Sequence, residues 1–269
     1  MIVTFAKKVV LVTGASSGIG AELARQFATA GARLVLAARD VVRLEEVAAQ
    51  CRANGAEALV VHVDVSDEAS CKAMIEIAIA HYGALDILVN NAGLGARGRF
   101  DTITDLSIFE RVMRVNFFGS VYCTSYALPY LKESRGQVVA ISSLSGLAGV
   151  PNRTAYGATK HAMAGFFDSL RVELGGSGVD VTVIYPSFVF SELNARGLSP
   201  DGTPYGARGH VRPASDKMTT EECCRLTLQA TFYRDRELLM TWRARLGRVL
   251  MLISPSLIDR LARAAMARE

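Results

Sequence analysis

Short, wholly apolar, β-branched bursts alternate along this chain with longer segments of helical period. "KVVLVTG", "IGAELARQFATAG", "RLVLAAR", "VVRLEEVAAQCRANG" and "ALVVHVDV" follow one another within the first 65 residues. A strand that is apolar on both faces must be covered on both, so the alternation predicts a parallel sheet between two layers of helices. It continues through "EASCKAMIEIAIAHYG", "LDILVNNAG", "FERVMRVNFFGSVYCTSYALPYLK", "GQVVAISS", "AYGATKHAMAGFFDSLRVELGG" and "VDVTVIYPS", bringing the count to six strands with crossover helices. The expected class is α/β, with a doubly wound parallel sheet in three α/β/α layers.

After Pro186 the rhythm breaks. Residues 187–218 include "NARGLSPDGTPYGARGHVRPASDK", rich in Gly, Pro and Arg without apolar period, and read as a functional loop or lid. Thr219 followed by Glu222 forms a capping box that restarts helix. "RELLMTW" is a candidate last strand, and residues 243–269 form a basic, amphipathic tail. With 269 residues, half of them hydrophobic, and no repeat or linker, residues 1–269 read as one domain.

Charge and cysteine usage exclude several functions. Cys51, Cys71, Cys123, Cys223 and Cys224 show no CxxC or Cys/His spacing, so no metal site or redox pair is expected. They read as reduced thiols of a cytoplasmic protein. The opening "MIVTFAKKVVLVTG" lacks the pattern of a signal peptide, and no apolar run approaches the ~20 residues of a membrane span. The net charge is +4, and from Arg234 to Glu269 eight arginines face four acids, so the surplus lies in the tail. The aromatic-and-basic interleaving of a nucleic-acid surface is missing.

Two stretches carry chemistry. "TGASSGIG", Thr13 to Gly20, follows the first strand and enters a helix, where small residues let the backbone approach a pyrophosphate at the helix N-terminus. The second strand ends "LVLAARD": Ala38 offers no carboxylate to ribose hydroxyls, whereas the Arg39 guanidinium can clamp a 2′-phosphate. This favours NADP(H) over NAD(H), with Arg43 a second cation; in the competing reading Arg39 is solvated and Asp40 supplies the acid. Further on, Tyr156 and Lys160 stand at i and i+4, on one face of a helix. An ammonium there lowers the phenol pKa and makes Tyr156 an acid/base near neutrality. "AISSLSG" ends a strong strand at the sheet edge where ligands bind, with Ser142, Ser143 and Ser145 competing to meet a substrate oxygen.

In this order and spacing, "TGASSGIG", "NNAG" from Asn90 to Gly93, "VNFFGS" around Asn116, Ser143 and "YGATK" resemble the short-chain dehydrogenase/reductase family, from about Lys7 to Leu193. The resemblance implies a Rossmann-type domain with a seven-stranded sheet and a catalytic tetrad. Tyr156 is then the acid/base, Lys160 its pKa partner and a ribose ligand, and Ser143 the group that holds the carbonyl. Asn116 holds a water that links Lys160 to solvent. By the same resemblance Gly14, Ser16, Ser17, Gly18 and Gly20 form the pyrophosphate loop with Ile19 at the helix start. Asp64 and Val65 contact adenine, and Asn90, Ala92 and Gly93 pass the adenosine ribose. Pro186, Val189 and Ser191 follow the sixth strand beside the nicotinamide. One departure stands out: Ser187 occupies a position where the family carries glycine, which removes easy access to positive φ.

The resemblance also places Leu94, Gly95, Leu144, Leu147, Phe188 and Val189 over the nicotinamide. That apolar set implies a hydrophobic ketone, aldehyde or alcohol as substrate, with Arg97 and Arg99 the features that would suit an acidic one. The expected function is therefore an NADP(H)-dependent carbonyl reductase or alcohol dehydrogenase, a homodimer or homotetramer as is common in the family. The rival is a non-catalytic nucleotide sensor or scaffold on the same fold, and sugar-nucleotide epimerisation is disfavoured by the lack of a second domain. The tail allows membrane-surface contact, closure over the pocket or packing on a second subunit.

Overall fold

A computed structural model describes residues 3–187, 189, 193–206 and 218–266. Seven parallel strands form one sheet in the order β3-β2-β1-β4-β5-β6-β7. They are β1 (Val9–Thr13), β2 (Arg33–Ala38), β3 (Ala58–His62), β4 (Ile87–Asn90), β5 (Gln137–Ile141), β6 (Asp180–Tyr185) and β7 (Glu237–Leu239). The central strands β1, β4 and β5 are buried at every position, which is why they read as unbroken apolar runs. The strand order reverses between β1 and β4, and this switch point opens a crevice at the carboxyl edge of the sheet.

Helices cover both faces. On one side α1 (Gly18–Thr29), α2 (Val41–Ala53) and α8 (Thr220–Phe232) enclose a core of Val10, Val12, Leu34, Leu36, Val89 and Val139. On the other, α3 (Glu68–Tyr82), α5 (Gly119–Ser134) and α6 (Thr154–Glu173) close over Leu11, Val35, Leu88, Val138 and Val183. Helix starts follow local chemistry: Asp67 accepts a hydrogen bond from Ser70 N at 3.1 Å at the head of α3, and Thr219, the predicted start, accepts one from Glu222 N at 3.1 Å at the head of α8. The Glu222 carboxylate is bound to Arg225, so the Thr219 hydroxyl carries this cap.

Three features are not written in the alternation. Between α4 (Ser107–Met113) and α5 lies a π-helical turn, Arg114–Phe118, which holds Asn116. The described part of the 187–218 segment has structure of its own: α7 (Leu193–Arg196) precedes Leu198, which bridges to Ala96 and to Pro204, and Tyr205 donates to the Arg97 carbonyl at 2.7 Å. The tail, finally, folds as two helices, α9 (Trp242–Ile253) and α10 (Pro255–Met266), separated at Ser254. Pro255 lacks the N–H that a first helical turn leaves unpaired, so it begins α10 without loss.

Candidate active site

The switch-point crevice is a cleft of about 510 Å³ that runs from the turn after β1 to the start of α6. Its first wall is backbone. Gly14 and Gly18 hold φ of +67° and +54°, conformations that admit glycine readily. A methyl group on Gly20 would come within 2.3 Å of the Gly14 carbonyl oxygen, so the loop closes only because this position has no Cβ. Ser17 precedes α1 without capping it through its side chain, which leaves the first N–H groups of the helix to face the cleft. Ser16, Ser17 and Ile19 line the same wall. A polyanion fits this cradle on geometry and dipole alone.

Asn91 fastens the loop to the sheet. Its amide donates to the Thr13 carbonyl at 2.8 Å and the Gly14 carbonyl at 3.3 Å, while Thr13 Oγ1 accepts from both Asn91 N and Ala92 N at 3.0 Å. Ala92 and Gly93 line the cleft. Asn90, expected beside the ribose, does not: its side chain is buried and donates to Thr124 Oγ1 at 2.9 Å. The alternation of a strand sends neighbouring residues to opposite faces, and Asn90 takes the face covered by α5.

Farther along, Arg39, Asp64 and Val65 meet at the ends of β2 and β3. Arg39 is largely exposed, with Nη1 3.9 Å from Asp64 Oδ2. Burial raises the Asp64 carboxyl, but the Ser66 hydroxyl and N–H together with the Arg39 and His62 charges outweigh it, leaving it below the usual carboxylate value. Asp40 accepts from Arg43 N at 3.1 Å as the cap of α2, so one oxygen of the rival acid is already committed.

The opposite end of the cleft is built of side chains. Ser142 and Ser143 follow β5, and of the three candidate serines it is Ser143 whose hydroxyl lowers the proton affinity of the Tyr156 phenol. Ser142 instead points to the Lys160 carbonyl at 3.5 Å, and Ser145 offers its N–H to Ser143 Oγ at 3.2 Å. Lys160 is buried, donates from Nζ to the Ile141 carbonyl at 2.9 Å, and lies 5.7 Å from the Tyr156 ring centre. Burial pushes its pKa down to about 7. Tyr156 is also buried, and desolvation raises its phenol above the usual value, opposed by the Arg153 charge and the Ser143 hydrogen bond. Two cations therefore flank the phenol: the Arg153 guanidinium and the Lys160 ammonium each lie 5.7 Å from the ring centre. Arg153 is one that the i, i+4 spacing does not announce, and Lys160 also donates towards β5.

Asn116 is fully buried and does not line the cleft. Oδ1 accepts from Leu94 N at 2.7 Å; Nδ2 donates to the Leu94 carbonyl at 3.0 Å and to Thr159 Oγ1 at 2.9 Å. Thr159 in turn donates to the Tyr156 carbonyl at 2.8 Å, so Asn116 braces the helical turn between Tyr156 and Lys160. Leu94 and Leu144, expected over the nicotinamide, do not line the cleft either. Leu94 is partly buried against the cluster that holds Ile108, Val112 and Ala155, and Leu144 is partly buried against the core that holds Val138 and Met163. Their places at this end are taken by Val150, Pro186, Ser187, Val189 and Leu193, together with Arg153 and Arg196. Ser187 is not among the residues with positive φ, so its loop does not use the conformation that a glycine would supply. Arg99 is bound to Asp101 at 2.8 Å. Phe188 and Ser191 lie outside the described residues.

Comparison with known proteins decides the family. A profile described as short chain dehydrogenase matches residues 8–200. The chain belongs to the short-chain dehydrogenase/reductase family. This short-chain dehydrogenase is 46% identical over 187 residues to 11-beta-hydroxysteroid dehydrogenase 1A of Arabidopsis thaliana, covering 69% of the chain and 53% of that relative. It is 36% identical to dehydrogenase/reductase SDR family protein 7-like of Dictyostelium discoideum over 95% of the chain and 81% of the relative. The matched region thus spans about half the length of the Arabidopsis protein. Among solved structures, a short-chain dehydrogenase/reductase from Burkholderia phymatum in complex with NAD superposes with a TM-score of 0.80 at 26% identity, over 94% of this chain and 96% of that one. An alcohol dehydrogenase from Thermococcus sibiricus complexed with 5-hydroxy-NADP gives 0.74 at 26% identity, over 87% and 96%. The family is one of oxidoreductases, and the seven-stranded parallel sheet is the architecture that the motifs implied. Among the described residues no cluster suited to a metal ion occurs, and no helix is long and apolar enough to cross a membrane.

Proposed function

We propose that this short-chain dehydrogenase interconverts a hydrophobic ketone or aldehyde and the corresponding alcohol with NADP(H). The observation that carries the reading is the joining, in one cleft, of the glycine cradle after β1 with Ser143, Tyr156 and a buried Lys160. When bound, the nicotinamide supplies or accepts the hydride. The chain's own residues do the rest. Ser143 donates to the substrate oxygen, Tyr156 gives that oxygen its proton or takes it away, and Asn116 and Thr159 hold the helical turn that keeps Tyr156 in line. Lys160 and Arg153 supply positive charge around the phenol, which stabilises it as the proton leaves.

Arg39 supports the NADP(H) preference: it stands at the end of β2 where no acid precedes it, and Asp40, which also lines the cleft, has one oxygen engaged at the α2 cap. Val150, Val189 and Leu193 support a hydrophobic substrate, as do the names of the Arabidopsis relatives. Exposed Phe118, stacked on Tyr122 where the π-helical turn enters α5, suits burial in a homodimer or homotetramer, and five thiols free of disulfides suit the cytoplasm. The test is cofactor consumption over a panel of ketones and secondary alcohols with each nucleotide. NADP(H) turnover on apolar substrates is expected, and Arg39→Asp is expected to shift kcat/KM towards NAD(H) by about tenfold or more, the loss of a charge-assisted contact. Nucleotide binding without any turnover would instead make the protein a sensor, and an unchanged cofactor ratio would remove the role of Arg39.

A further inference from the structure

The α9–α10 hairpin differs from the rest of the molecule in what it leaves in water. Fifteen large hydrophobic side chains are exposed among the described residues, and seven of them lie between Trp242 and Leu261. Trp242, Leu246, Val249 and Ile253 are at i, i+4, i+7 and i+11, so they form one stripe along α9. They are 68%, 48%, 53% and 74% exposed, and α9 buries no residue fully. Leu257 and Leu261, at i and i+4, continue an exposed stripe on α10. Elsewhere exposed apolar side chains are scattered; here they are contiguous along two helices, which marks an interaction surface.

Charge identifies what the surface meets. Trp242–Met266 carries five arginines and one aspartate, a surplus of four that equals the net charge of the whole chain. Arg245 donates to the Leu239 carbonyl at 3.2 Å and Arg248 is paired with Glu237, so these two fasten α9 to β7. Arg243, with its guanidinium 5.6 Å from the Trp242 ring centre, and Arg260 and Arg263 on α10 are exposed on the same hairpin. We infer that this hairpin docks the protein on an anionic lipid bilayer, lying in the interface with its apolar stripes in the acyl boundary and its arginines among the headgroups. Neither helix is long enough to span, which leaves the in-plane arrangement. A second copy of the chain is the poorer occupant, because a two-fold contact would set five arginines of each copy against the other's five with only Asp259 from each to meet them.

The experiment is co-sedimentation of the full chain with vesicles of phosphatidylcholine alone and of phosphatidylcholine with about a third phosphatidylserine. Binding is expected on the anionic vesicles, weak on the neutral ones, and reduced by raised salt. Replacing Arg243, Arg260 and Arg263 by Gln together should lower the partition coefficient about tenfold or more, since each cation near such a surface adds to attraction. The triple change Trp242→Ser, Leu246→Ser, Ile253→Ser should abolish binding, with circular dichroism confirming the fold; if that variant does not fold, the arginine variant and the wild-type salt response decide. Equal partition into both vesicle types, or none into either, overturns the inference. So does sedimentation velocity showing a concentration-dependent dimer that the arginine variant preserves and the serine variant abolishes, with vesicle binding unaffected.

Discussion

The two ends of the cleft are made of different material. The end proposed for the nucleotide is backbone: glycines that leave no room for a Cβ, a helix N-terminus and an asparagine strap. The chemical end is side chain: Ser143, Tyr156 and Lys160, the last two nearly dry and with displaced proton affinities. A backbone site is damaged by adding atoms, and a side-chain site by removing them, so substitutions at the two ends should separate binding from turnover.

The largest separation is expected from Tyr156→Phe. Losing a general acid/base costs on the order of 10² to 10⁴ in rate, so kcat should fall by about 10³ or more, while nucleotide affinity stays within about twofold. Single-turnover kinetics beside a fluorescence titration of the nucleotide would show it. A variant that retains wild-type kcat would end the assignment of Tyr156 to proton transfer.

Gly20→Ala is the opposite probe. Its methyl meets the Gly14 carbonyl oxygen at 2.3 Å and the Asn91 amide at 2.4 Å, neither of which can retreat without opening the phosphate loop. Overpacking of this kind costs about 1–3 kcal/mol, so nucleotide Kd should rise roughly ten- to hundredfold, with kcat at saturation largely kept. If kcat falls instead and Kd does not move, the two ends are not separable in this way.

The contrast also explains what could be read from sequence. Backbone sites are spelled by their glycines and their place between strand and helix, so Gly14, Gly18 and Gly20 were legible together with the doubly wound sheet that positions them. Side-chain sites depend on packing directions that spacing does not encode. Tyr156 and Lys160 share a helical face as their spacing requires, yet Lys160 is also bonded to Ile141 on β5, and a second cation, Arg153, lies as close to the phenol ring as Lys160 does. Asn116 was legible as a motif, but its partners, the Leu94 backbone and Thr159, follow from a π-helical turn that no periodicity announces. The substrate end is less legible for the same reason. Leu94 and Leu144, placed over the nicotinamide by resemblance, are partly buried against core clusters, while Val150, Leu193, Arg153 and Arg196 line the cleft.

A smaller effect tests the dryness of the chemical end through stability. The Lys160 pKa is pushed down to about 7, whereas in the unfolded chain it returns to 10.5. Between these values the unfolded state binds the extra proton, so this group makes stability rise with pH from about 7 to 10.5; below 7 both states are charged and its contribution is flat. The slope approaches about 1.4 kcal/mol per pH unit where the two protonation states differ fully. Urea unfolding without nucleotide at several pH values from 6 to 9.5, compared with Lys160→Met, isolates it from the thiols and Tyr156, which the two proteins share. The variant should lose the rise. Parallel curves would mean that the ammonium is hydrated in solution and that this end of the cleft is wet.

The finest distinction is between the two cations near Tyr156. If Arg153 lowers the phenol pKa, Arg153→Gln removes that influence, the phenol titrates at higher pH, and the rising limb of kcat/KM for alcohol oxidation moves upward. Arg153→Lys should restore part of the shift because it returns a charge without the planar group that lies over the ring. A merely structural arginine at the start of α6 would change the plateau of the profile but not its position. Measuring kcat/KM from pH 6 to 10.5 for the wild type and both variants therefore assigns the control of the proton to Arg153, or, if the limb stays where it was, returns it to Lys160.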